Sequence, residues 1–145
     1  MEFLFAVIIF AVIIFFIATQ LNVLFSTSAG ESGIDNLKAH GINVLNVLLE
    51  DKGNPENWEL DPSRTIRVGL ASDPYKLTMT KIIALSNNCD LLERFDLNGY
   101  SLEIFDENKN PLLFCGFRGV PPITVSISKS ALIENELGEV RLVLW

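Results

Sequence analysis

Few side chains in this sequence are of a type and spacing that could do covalent or metal chemistry. Cys89 and Cys115 are the only cysteines. They have no metal-ligand spacing and allow at most one internal disulfide. A bridge between them would close a 26-residue separation and add roughly 3 kcal/mol, whereas two buried thiols fit the same residues. His40 is the only histidine, so no second imidazole is available beside it, and a surface or packing role is expected. Asp106, Glu107, Asn108 and Asn110 form an oxygen-rich loop, but their spacing is not that of an EF-hand, and a hairpin turn explains them better. There is no phosphate-binding glycine loop, Gly-x-Ser-x-Gly, His-Glu-x-x-His or Cys-x-x-Cys. No enzyme, cofactor or metal is expected. Glu50 and Asp51 are a carboxylate pair at a helix end, where solvation accounts for them.

The elements that must position these residues begin with an apolar run. Phe3 to Ala18 is sixteen residues without a charged or hydrogen-bonding side chain, thirteen of them Phe, Leu, Ile or Val. Transfer of such a run to mid-membrane is favoured by roughly 4 to 8 kcal/mol, although it is shorter than the ~20 residues that span a bilayer. A secretory signal peptide needs a basic start, and the first basic residue here is Lys38. Ser26 to Gly33 is small and polar. Beyond it Ile34, Leu37, Gly41, Val44, Leu45 and Leu48 recur at three- and four-residue steps, the pattern of an amphipathic helix. Gly53 and Pro55 stop it. A continuous helix over the first ~50 residues would be about 75 Å long.

The remainder reads as α+β. Pro55, Asp61 and Pro62 mark a loop, with Trp58 as a plug and Trp145 as a second packing aromatic. Ile66, Val68 and Leu70 alternate, predicting a short strand. Thr78 is a candidate N-cap for a helix with Leu77, Ile82 and Leu85 inward, followed by a turn or two carrying Leu91, Leu92 and Phe95. Tyr100–Asp106 and Leu112–Phe117 flank a turn and predict a hairpin. Pro121 and Pro122 end it. Ile123, Val125 and Ile127 alternate with polar residues, and Val140, Leu142 and Leu144 form the last strand after a turn over Glu134–Gly138. The expected fold class is α+β, a long N-terminal hydrophobic α-helix leading into a small head domain. That head has a four- to five-stranded, largely antiparallel β-sheet and a second helix. The expected domains are residues 1–53 (1–20 being the membrane or filament-core part) and 54–145.

Charge narrows the function classes. The formal net charge is −7 and the sequence pI about 4.6. An acidic chain without a basic cluster is a poor nucleic-acid binder. Neither does it contain an Asn-X-Ser/Thr sequon.

Four stretches, in order, resemble archaeal type IV pilin-like proteins with class III signal peptides. They are MEFLFAVIIF at the start, GNPENW at Gly53–Trp58, VGLAS followed by the Lys81–Leu85 helix, and GEVRLVLW at the end. The resemblance implies a structural subunit of a cell-surface filament with roles in adhesion or attachment. Such a subunit is inserted in the cytoplasmic membrane before assembly and packs with copies of itself in an extracellular homo-oligomer. It further implies a prepilin peptidase and an assembly platform as partners. Assembly would be carried by Glu2, Phe3, Phe5, Ile9, Phe10, Ile13, Phe16 and Ile17, with Glu2 pairing with a neighbour's terminal amine, since a carboxylate in hydrocarbon needs a partner. In the family the glutamate is the fifth mature residue, so its place at position 2 implies further residues before Met1. The alternatives are a minor or priming subunit and a single-pass anchored extracytoplasmic binding module.

Overall fold

A computed structural model describes residues 2–117 and 124–145, with side chains of 2–8 and 21–32 set aside. The chain forms two compact units, Met1–Asn36 and Leu37–Trp145. The first unit is helical and belongs to α1 (Glu2–Glu50). Its side chains from Ile9 to Ala18 are all apolar and exposed, and polar residues enter at Thr19, whose hydroxyl donates to the Phe16 carbonyl at 2.8 Å.

The second unit is built on a six-stranded sheet. Its strands are β1 (Ala71–Asp73), β2 (Lys76–Leu77), β3 (Tyr100–Phe105), β4 (Pro111–Gly116), β5 (Val125–Ile133) and β6 (Glu136–Leu144). They lie in the order β1-β2-β5-β6-β3-β4. All pairings are antiparallel except β2 with β5, where Lys76 and Leu77 run parallel to Leu132 and Ile133. A parallel pair needs a long crossover. Here it contains α2 (Met79–Asn87), a 3-10 helix at Cys89–Phe95, and the β3–β4 hairpin.

Alternation sorts the sheet into two faces. Leu102 and Ile104 of β3, Val140, Leu142 and Leu144 of β6, and Ala131 and Ile133 of β5 are buried. The last turns of α1 contribute Val44, Leu45, Leu48 and Leu49 to the same core, and α2 contributes Ile82 and Leu85. Gly41 allows the helix its close approach. A Cβ there would lie 2.6 Å from Ile127 and 2.7 Å from Leu144. The other face carries Ser126, Ser128 and Ser130 of β5 opposite Val143, Arg141 and Glu139 of β6. Arg141 lies 3.6 Å from Glu103 and 3.1 Å from Glu139, over the Phe105 ring.

Several expectations are corrected. The fold class expected from sequence is overturned. The sheet has six strands rather than four or five and is mixed rather than largely antiparallel, and the helical content includes three short 3-10 segments, at Trp58–Leu60, Pro62–Arg64 and Cys89–Phe95. Nor, among the described residues, is α1 a long apolar helix; its described all-apolar stretch is Ile9–Ala18. Among the described residues no helix is long and apolar enough to cross a membrane. The strand expected at Ile66–Leu70 is not formed; the chain there makes one isolated bridge, Asn54 with Arg67, and the strand begins at Ala71. Backbone bonds from Asn54 and Leu70 to Arg67 and Leu48 take the place of a ladder. The turn expected over Glu134–Gly138 shrinks to Glu134 and Asn135, both at positive φ (49° and 79°), and β6 starts at Glu136. Two residues at positive φ are the geometry that matches strand twist in a tight hairpin. Pro121, Pro122 and Ile123 lie outside the described residues.

Candidate assembly surface

The described part of the expected assembly set is exposed. Ile9 is 58% accessible, Phe10 65%, Ile13 50%, Phe16 62% and Ile17 51%. Val12, Ile14 and Phe15 are equally open. These eight residues are nearly consecutive, and at 100° per residue they occupy every side of the helix. Such a surface is not the stripe of an amphipathic helix, which hides one face and wets the other. It is an apolar sleeve that is covered only when surrounded. The side chains of Glu2, Phe3 and Phe5 fall outside the described residues.

The cysteines are brought together. Cys89, at the start of a 3-10 helix, and Cys115, on β4, form a disulfide with Cα atoms 5.4 Å apart. Asn88 ends α2 and turns the chain so that Cys89 faces β4. The bridge ties the 3-10 helix to the edge strand β4, and its role is structural. His40 stands apart from it, with Nε2 at 3.0 Å from the Phe95 carbonyl. Asp106 serves the β3–β4 turn, as the hairpin reading required. Its carboxylate accepts from the Asn110 backbone N–H at 2.7 Å and side-chain amide at 2.8 Å. Those bonds, the side-chain one foremost, hold its pKa below the usual carboxylate value. Among the described residues no three His, Cys, Asp or Glu side chains are grouped to hold a metal ion.

Trp58 is fully buried, and its indole N–H donates to the Gly69 carbonyl at 2.8 Å. Gly53, at φ +88°, leaves room for that indole; a Cβ there would stand 2.5 Å from it. A cleft of about 620 Å³ opens at the end of α1, lined by Glu50, Asp51, Lys52, Asn54 and Arg67 among others. One of its charge pairs is closed, with Arg67 2.6 Å from Asp51.

Two lysines went unnoticed at the level of sequence. Lys81 is buried within α2 and donates to the carbonyls of Lys52 at 2.6 Å and Ala71 at 3.1 Å. Desolvation lowers its pKa, opposed by the nearby charge of Glu59. Lys129 lies on the inward face of β5 and donates through Nζ to Asn46 Oδ1 of α1. The signal for Lys129 was legible: it sits in phase with Val125, Ile127, Ala131 and Ile133, where alternation calls for an apolar residue.

No protein-family model matches the chain, and comparison with curated proteins and with solved structures gives no match. The resemblance to archaeal type IV pilin-like proteins therefore rests on the sequence signatures alone.

Proposed function

We propose that this protein is a structural subunit of an archaeal type IV pilus-like cell-surface filament. It assembles through the apolar segment at residues 9–18 of α1 and presents the acidic Leu37–Trp145 unit for adhesion or surface attachment. One observation supports the reading above others: eight large apolar side chains from Ile9 to Ile17, each at least half exposed, surround the helix. Apolar surface left in water costs about 25 cal/mol per Å². A dimer would cover one side only, whereas a bundle of copies covers all sides. The order of the four signatures agrees with a structural role.

Lipid could cover the same sleeve, so the test must separate the two environments. Cell-surface shear fractions from cells expressing the wild-type chain or Ile9→Asp are compared by negative-stain microscopy, with N-terminal sequencing of the product. Filaments containing the wild-type chain, and none from Ile9→Asp, support assembly. Normal filaments from Ile9→Asp, or a wild-type chain confined to the membrane fraction without high-mass species, would overturn it. The second outcome would favour an anchored binding module.

A further inference from the structure

The long strand β5 is paired in full along only one of its two edges. Its whole length meets β6, from Val125 with Leu144 to Ile133 with Glu136. On the other side β2 reaches only Leu132 and Ile133. Residues 125–131 therefore border an open notch in the sheet, closed at one end by β2, and among the described residues no strand fills it. The backbone groups that face the notch follow from its closed end. There the Leu132 N–H donates to the Tyr75 carbonyl and the Glu134 N–H to the Leu77 carbonyl, both on the β2 side. Alternation along the strand turns the N–H and C=O of Ser126, Ser128 and Ser130 the same way. These three serines are exposed. Val125, Ile127 and Lys129, on the opposite face, are only partly covered, whereas Val140, Leu142 and Leu144 of β6 are buried.

Sheet edges are ordinarily guarded by lysines, prolines, bulges or a covering element. Here residues 125–131 contain no proline, and their register with β6 is unbroken. Their one lysine does not guard the edge, because Lys129 Nζ is drawn inward to Asn46 Oδ1 of α1 and lies 5.7 Å from the Tyr75 ring centroid. In a chain of net charge −7, the same residues include no acidic side chain to repel a copy.

We propose that this edge is an interface between two copies of the chain, joined β5 to β5 in antiparallel fashion about a two-fold axis at Ser128. Residue 128 is the midpoint of 125–131, so β5 of a second copy fills the notch of the first while offering its own. Ser126 then faces Ser130 of the second copy, and Ser128 faces its counterpart. Such pairs exchange N–H···O=C bonds in both directions. Sliding the strands one way runs into β2 at Leu132, and sliding them the other way leaves ladder groups unpaired. On the opposite face Val125 meets Ala131, and Ile127 meets the aliphatic stem of Lys129, which covers apolar side chains that a single copy leaves partly exposed. The contact is isologous and closes on itself, each notch being filled by the other copy. It is strand addition at a sheet edge and does not depend on filament formation through α1.

Cysteine cross-linking of the purified full chain in detergent reads the register directly. All chains carry Ile9→Asp, to weaken contact through the apolar sleeve. The native cysteines are bonded to each other, so an introduced thiol is the only free one. Across the two-fold, the Cα atoms of residue 128 lie about 5.5 Å apart, within the ~4.4–6.8 Å that a disulfide spans. Those of residue 126 lie roughly 14 Å apart. Mild oxidation should shift most of the Ser128→Cys chain to twice the chain mass on a non-reducing gel and leave Ser126→Cys single. A Ser126→Cys chain mixed with a Ser130→Cys chain should link. Ser128→Pro removes an N–H that faces away from β6, a place where an edge strand tolerates proline, and should abolish that mixed link. A Ser128→Cys chain that stays single overturns the proposal. So does equal linking of Ser126→Cys and Ser128→Cys, which would report random collision, or a mixed link that survives Ser128→Pro.

Discussion

Single residues in this protein carry consequences that depend on which groups surround them. Lys81 is an ammonium buried beside two carbonyls. Its removal leaves both acceptors without their charged donor, so Lys81→Ala should cost about 2–3 kcal/mol in urea unfolding; a change near zero would show that water replaces the amine without loss. Asp106 illustrates linkage at an exposed turn. Because its folded pKa lies below 3.8, its stabilising contribution is fully present above pH 3.8 and is lost as pH falls through the folded value. An NMR titration should place its midpoint below 3.8, and Asn110→Ala should raise that midpoint, since the Asn110 side chain is the largest cause. At this scale the sequence was legible where a residue follows local rules. Asp106 was readable as a turn residue, and Trp58 as a plug. Lys81 was not, because its neighbours come from the end of α1 and from β1, far away in sequence.

Elements show the same division. The β3–β4 hairpin and the core face of β6 were readable from alternation, and α2 from its apolar spacing. The β5–β6 connection was not, since Glu136 and Leu137 look like turn residues although they pair in register with Ile133 and Leu132. Asn135 occupies φ +79°, a conformation glycine adopts without a side-chain penalty. Asn135→Gly should therefore raise stability by about 0.5 kcal/mol, checked by the denaturant midpoint; a lower midpoint would mean that the asparagine side chain, not the backbone, supports the turn. In the 65–70 segment, alternation pointed to a strand, but Ile66 is 71% exposed while Val68 and Leu70 are buried. Among the described residues no neighbouring strand pairs there, and the bridge is supplied by Asn54.

For the whole molecule, the disulfide and the close backbone contacts decide cohesion. Cys89–Cys115 joins the Cys89–Phe95 3-10 helix to β4, and Cys115→Ser with Cys89→Ser should lower unfolding free energy by roughly 3 kcal/mol, the effect expected of a loop of this length. A reduced wild-type chain should match the double variant. Gly69 lies where α1 ends; a Cβ there would stand 2.2 Å from the Asp51 carbonyl oxygen. Gly69→Ala must move backbone, and a loss of about 2–4 kcal/mol is expected in the same assay. The proposed assembly of copies through the apolar sleeve belongs to this scale as well. Its free energy would come from apolar surface that the isolated chain leaves uncovered.

The sequence by itself determined what is local: the apolar run from Phe3 to Ala18, the 3.6-residue and two-residue periodicities, the turn at Asp106–Asn110, and the presence of two cysteines. These features depend on neighbours within a turn of helix or a pleat of strand, so they are written in order along the chain. Only the tertiary structure decided the strand order, the parallel join of β2 with β5, the pairing of Cys89 with Cys115, and the meeting of Lys129 with Asn46. Each of these joins residues separated by tens of positions. Such contacts follow from how faces pack and how loops close, and no periodicity in the sequence encodes them.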